Sequence, residues 1–292
     1  MYIHRILGKV IALTNDTPRD EAEVKQRYQQ IVLILAPPRS ASTAVARIFW
    51  EFAPVRYYCH EPFDRTYYAH EDGRFDTEND VLSRLRSPID LVAGGIKLNA
   101  LAPGQGWLAL KEMTFQVGSR FPFLAGLVTK PVILLIRDPR LCILSRMRRL
   151  EEDGQNPLFP VIESGWDDLQ AQVSLCRQQN IPYVLVDTTD LRQFPQVVLR
   201  GLFSHFEPLG FGFDVRMLNW KPLPPGAISL GGLDGHQDRW YLRTLRSTGL
   251  EPPSERMPAI SDFPAAAGFR EHVVAAMDIY RNLRADPNLV KP

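Results

Sequence analysis

Short runs of apolar residues recur along this chain, and between them lie stretches whose apolar positions fall at helical spacing. The segments "IVLILA" (31–36), "VRYYC" (55–59), "WLALKEM" (107–113), "PVILLI" (131–136) and "YVLVD" (183–187) read as five strands. The clearest, 31–36 and 131–136, show no polar alternation, as expected of parallel strands buried on both faces. "STAVARIFWEFA" (42–53), "PRLCILSRMRRLEE" (139–152) and "WDDLQAQVSLCRQQN" (166–180) read as helices, and a polar helix within 16–30 leads into the first strand. The tail from 190 is mainly helical, broken by "KPLPPGAISLGG" (221–232). Alternating strands and helical crossovers predict an α/β fold: three layers, with helices on both faces of a mainly parallel sheet. Residues 1–30 read as an N-terminal extension and 31–292 as one domain. Within it, 61–106 is too long and irregular for a plain connection and reads as a functional excursion with short helices.

Sheets of this kind bind ligands beyond the carboxyl ends of their strands, and two polar clusters stand at such ends. The first is "PPRSAST" (37–43). A strand running at once into a helix N-terminus offers free backbone N–H groups and a positive dipole end. Ser40, Ser42 and Thr43 add hydroxyls, Arg39 adds a fixed charge, and together they suit a phosphate or sulfate. The plainer reading is a helix capped by Ser40 or Ser42 beside a surface arginine. The second cluster is "RDPRLCILS" (137–145). Asp138 and Pro139 are ordinary helix-start residues. Arg137 ends an apolar strand and must find an anion or a carboxylate. Ser145, two turns along the helix, would by itself be a solvated serine.

Composition narrows the choice without deciding it. A net charge of +1 removes any global pull toward nucleic acid or an anionic membrane, so anion binding must be local. No apolar run exceeds six residues, against the roughly 20 that span a bilayer. The first 20 residues lack the apolar core and cleavage site of a signal peptide. Three scattered cysteines, Cys59, Cys142 and Cys176, suit reduced thiols in a cytoplasmic protein and do not form a zinc pattern.

Taken together, the two clusters resemble the sulfotransferase family that uses 3′-phosphoadenosine 5′-phosphosulfate (PAPS). "RSAST" is similar to the family's phosphosulfate loop, (K/R)-S-G-(T/S)-T, and "RDPRLCILS" to its R-(D/N)-P-x(5)-S segment, with matching spacing. "YYCHEPFD" (57–64) resembles an E-P element after the second strand. "WLALKEM" resembles the strand that carries a lysine near the bridging oxygen. "FDVRMLNWKP" and "RWYLRTLRSTGL" resemble a C-terminal portion that closes over the cofactor. The likeness spans about residues 30 to 283, leaving 61–106 unmatched, and it implies a P-loop nucleotide-binding-like fold.

The resemblance implies transfer of a sulfuryl group from PAPS to a hydroxyl or amine of a small-molecule, sugar or lipid acceptor, leaving PAP, with no metal. Arg39, Ser40, Ala41, Ser42 and Thr43 would hold the 5′-phosphate side, and Arg137 and Ser145 the 3′-phosphate. Glu61, next to the loop in the sheet, is the candidate base, with His60 its rival. Arg39 and Lys111 would meet charge on the leaving phosphate and sulfuryl oxygens, although Lys111 could equally be half of a buried ion pair. Glu112 points to the opposite face of its strand. Two departures stand out. The loop glycine is Ala41, which calls for a negative φ there. The aromatic that follows the loop and stacks on adenine is Ala44, which leaves stacking to Trp220 or Trp240. A P-loop kinase or nucleotide hydrolase, with Asp138 as its Mg²⁺ acid, and a non-catalytic nucleotide-binding protein are the alternatives; the absence of Gly-Lys-Ser/Thr weighs against the first.

Overall fold

A computed structural model describes residues 17–68, 77–97, 106–128, 131–209, 212–224, 226–228, 230 and 238–292. The described strands are β1 (Ile31–Ala36), β2 (Val55–His60), β3 (Ile89–Asp90), β4 (Trp107–Met113), β5 (Val132–Ile136) and β6 (Tyr183–Asp187). They form one sheet in the order β3-β2-β4-β1-β5-β6. All pairings are parallel except that of β3, a short antiparallel edge strand inside the 61–106 excursion. The five expected strands lie within a residue of the sequence reading. β3 escaped it, because two residues carry no periodic signal.

The helices are α1 (Thr17–Arg27), α2 (Ser42–Glu51), α3 (Asp64–Tyr68), α4 (Thr77–Arg86), α5 (Thr114–Val117), α6 (Phe121–Leu127), α7 (Pro139–Glu152), α8 (Trp166–Gln179), α9 (Thr188–Gln193), α10 (Pro195–Phe203), α11 (Asp238–Arg246) and α12 (Phe269–Arg284). Strand alternation sorts the sheet's side chains between two cores. Val32, Ile34 and Ala36 of β1 pack toward α2 and α10 with Phe49, Trp50 and Phe203. Ile31, Leu33 and Leu35 pack toward α6, α8 and α12 with Leu124, Leu169 and Ile279. Burying every position of β1 is what makes it read as an unbroken apolar run. Val24 of α1 is fully buried in the second core, so this helix is integral to that layer.

The strand order corrects one expectation. β4 lies between β1 and β2, so Glu61 is not on the strand beside the 37–43 loop. The strand between them carries Lys111, which is in register with Ile34 on one side and His60 on the other. The turns after β1, β2, β4 and β5 thus open on one edge of the sheet.

Candidate active site

The loop after β1 is wound tightly. Arg39 and Ala41 both take left-handed φ, 65° and 57°. This overturns the expected negative φ at Ala41, whose Cβ is carried in a conformation that ordinarily costs about 1–2 kcal/mol. Ala41 is the N-cap of α2 and provides no side-chain cap. Neither Ser40 nor Ser42 therefore serves as the capping residue. The first N–H groups of α2 have no acceptor within the helix, and left-handed residues next to a helix start form an anion-binding concavity. Ser42 and Thr43 line a cavity of about 1030 Å³ that opens here.

The second cluster reaches the same cavity. Asp138 caps α7 by accepting from Arg140 N at 2.9 Å, and its oxygens are also held by the Arg140 guanidinium. It is thus occupied as a helix-start residue and not presented as a metal-holding acid. Arg137 is only 6% exposed. It donates to the Arg39 carbonyl at 3.0 Å and pairs with Glu255 at 2.8 Å. Its buried Nε has no hydrogen-bond partner among the described residues. Arg39 donates through Nε to Ser145 Oγ at 3.1 Å. The two motifs are therefore tied together across more than 100 residues. It is Arg39, not Arg137, that touches Ser145, so its side chain reaches the second cluster.

The third group stands at the ends of β2 and β4. Lys111 Nζ contacts Glu61 Oε1 directly, and Tyr241 of α11 donates to the same oxygen at 3.0 Å. Glu61 N donates to the Lys111 carbonyl at 2.8 Å, which holds Glu61 in a left-handed φ of 43°. Of the four described non-glycine residues with positive φ, three (Arg39, Ala41 and Glu61) line this cavity, where backbone strain commonly gathers. Burial works against the Glu61 carboxylate, but the Lys111 ammonium and His60 outweigh it and hold the carboxyl well below the usual range. Lys111 is wholly buried against Glu61 and does not line the cavity, so it stands as half of a buried ion pair.

His60 is also covered. Its Nδ1 bonds the Tyr58 hydroxyl, and Nε2 lies 3.2 Å from Glu61 Oε1. Burial lowers its pKa and keeps the ring neutral, while Tyr58, buried with Glu61 nearby, has its own pKa raised and keeps its proton. Tyr58 therefore donates to Nδ1, which puts the ring proton on Nε2, facing Glu61. Of the three catalytic candidates only Glu61 lines the cavity.

No protein-family model matches the chain, and no curated protein matches it. Among solved structures it is similar to one described as a sulfotransferase domain from the curacin biosynthetic pathway. The two are 16% identical over 89% of this chain and 98% of that one, with a TM-score of 0.44.

Several site residues were not singled out in the sequence. Tyr241 lies in "RWYLRTLRSTGL", but no periodic signal marks it as a partner of Glu61. Gln116 donates to Asp64 at 2.8 Å and lies 3.5 Å from Glu61 Oε2. Arg192 and Glu255 sit on separate C-terminal segments. Of the two tryptophans considered for stacking, Trp220 is buried in the core and bonded to Ser247, which corrects that candidate, whereas Trp240 lines the cavity. Among the described residues no three metal-ligating side chains converge.

Glu112 alternates with Lys111 along β4 and accepts from the N–H groups of Phe63 and Met113 at 2.8 and 2.7 Å. It therefore anchors the turn that carries Glu61. Burial, reinforced by the Glu61 charge, pushes its pKa up to about 8. The folded chain then holds a proton that the unfolded chain releases near 4.5, so this contribution to stability is lost as pH rises from there to about 8. His60, with its pKa lowered from 6.5, destabilises the fold only below that value, and Asp64, raised to about 6, has finished titrating near there. Between pH 6.5 and 8 the unfolding free energy should fall with pH, by at most about 1.4 kcal/mol per unit. Urea titrations should show this slope in the wild type and its loss in Glu112→Gln. Equal slopes would mean that Glu112 is ionised throughout.

Proposed function

We propose that this protein is a PAPS-dependent sulfotransferase acting on a hydroxyl or amine of a small-molecule acceptor. The observation that carries this reading is the convergence of the two strand-end motifs. The strained 37–43 loop and the Arg137–Ser145 segment meet through the Arg39–Ser145 hydrogen bond on one cavity, with a buried, charged Glu61 on its wall. The residues suit the cofactor. The loop and helix start offer N–H groups and hydroxyls to a phosphosulfate, and Arg137 keeps an unpartnered buried nitrogen for a second phosphate.

When bound, PAPS supplies a sulfuryl group joined to a leaving phosphate. The loop would hold the 5′ side and Arg137 the 3′ side, which would orient the reacting bond. Glu61 Oε1 is occupied by Lys111 and Tyr241, whereas among the described residues Oε2 meets only Gln116, at 3.5 Å. Oε2 is thus the oxygen placed to take the acceptor's proton, and the loop's N–H groups would receive the charge of the 5′-phosphate that leaves as PAP. Lys111 keeps this carboxylate ionised, and the His60 ring packs beside its inner oxygen, with Nε2 3.2 Å away. His60 on this reading is a positioning residue rather than the base.

The reading is tested by thermal unfolding with PAP, 5′-AMP or ATP·Mg²⁺. At 100 times its Kd a ligand adds about 2.7 kcal/mol, which for a domain of this size raises Tm by about 5–10 °C. PAP should give this shift in the wild type and none in Arg137→Ala. A shift with ATP·Mg²⁺ and none with PAP would refute the sulfotransferase reading in favour of a kinase or nucleotide hydrolase.

A further inference from the structure

Glu255 lies in residues 251–259, a segment without helix or strand, rich in proline, that lines the cavity through Glu251 and Glu255. Its carboxylate bridges two guanidinium groups. Arg192 of α9 reaches both oxygens at 3.0 Å, and Arg137 reaches Oε1 at 2.8 Å. Both arginines are less than one-tenth exposed, whereas the Glu255 side chain is 37% exposed. Arg39 brings a third guanidinium to the same region, hydrogen-bonded to a serine and not to an acid. Nearby carboxylates are engaged elsewhere: Glu251 with Arg243, and Asp138 with Arg140. Two buried cations thus share one half-exposed carboxylate, with a third guanidinium lining the same cavity, and buried guanidiniums with so little counter-charge are costly unless an anion completes them.

The contact is also one that can open. The segment is held by side chains, not by a backbone ladder: Arg192 clasps the carbonyls of Glu251 and Pro252 at 2.8 and 2.9 Å. Such segments open locally at low free-energy cost. Two planar guanidiniums flanking one acceptor are the arrangement that binds a phosphate monoester, whose second negative charge a carboxylate lacks.

We propose that Arg192 and Arg137 form a two-arginine subsite for a phosphate monoester, and that Glu255 is a built-in stand-in for that group, displaced when the phosphate binds. Identifying the phosphate as the 3′-phosphate of PAPS rests on the sulfotransferase reading; the subsite itself does not. Arg192 is then a ligand-binding residue, and the 251–259 segment sets the apparent affinity. If it is closed nine-tenths of the time, binding is weakened about tenfold.

The test is calorimetric titration of the full chain at constant ionic strength with inorganic phosphate, PAP and 5′-AMP. Glu255→Gln should bind phosphate and PAP about tenfold more tightly than the wild type, with 5′-AMP changed far less. Adding Arg192→Gln to Glu255→Gln should reverse the gain, because no stand-in remains for Arg192 to hold and only its role as ligand is lost. Unchanged or weaker phosphate binding in Glu255→Gln would make Glu255 a fixed strut and overturn the proposal. So would a double variant that binds as tightly as Glu255→Gln alone. If phosphate behaves as expected but PAP does not bind, the subsite stands and the sulfotransferase reading falls.

Discussion

Replacing Glu61 by glutamine should lower the turnover of PAPS to PAP about 10²- to 10⁴-fold, the usual contribution of a positioned general base, with PAP affinity changed little. Glutamine keeps the shape and the hydrogen bond from Tyr241 but cannot take a proton. The measurement is PAP release with a simple phenol or alcohol as acceptor, alongside PAP binding. Because Lys111 and His60 hold the Glu61 carboxyl well below its usual range, the base stays ionised across the neutral range, and turnover should show no acid limb attributable to it above about pH 5. A variant that keeps more than a tenth of the wild-type rate would remove Glu61 from the chemistry. The Glu61→Gln chain that binds PAP normally yet turns over slowly would separate catalysis from folding.

Replacing Lys111 by methionine should have the largest effect on stability, a loss of about 3–5 kcal/mol in urea unfolding at neutral pH. The Lys111 side chain is wholly buried and its ammonium meets Glu61 directly. Removing it leaves a buried carboxylate with Asp64 and Glu112 as neighbours in the same electrostatic environment. The loss should shrink as pH falls through the ordinary glutamate range, where Glu61 can protonate, and Lys111→Met/Glu61→Gln should recover most of it. A loss under 1 kcal/mol would mean that water reaches the pair and that Lys111 does not set the charge state of Glu61. The double variant is informative for function as well: a stable but inactive chain would show that the pair is kept for its charge and not for the fold.

The elements of the fold were legible because burial writes directly into sequence. β1 and β5 have no polar position, since the sheet is covered on both sides, and Asp138-Pro139 marks the start of α7 by cap chemistry that is local. The motifs at 39–43 and 137–145 were legible for the same reason: each is a strand end and a helix start within one short segment. Only the tertiary structure decided how they combine. Strand order depends on crossovers between distant segments, so nothing local to Glu61 or Lys111 could show that β4 inserts between β1 and β2 and sets the two side chains against each other. The left-handed φ of Ala41 is not legible in sequence because intrinsic preference disfavours it, and the surrounding structure overrides that preference. Tyr241, Arg192 and Glu255 lie on C-terminal segments with no periodicity that points inward. Tyr241 meets Glu61 across 180 residues of chain, and Glu255 meets Arg192 across 63 and Arg137 across 118, because buried polar and charged groups must find partners, wherever in the sequence those partners stand.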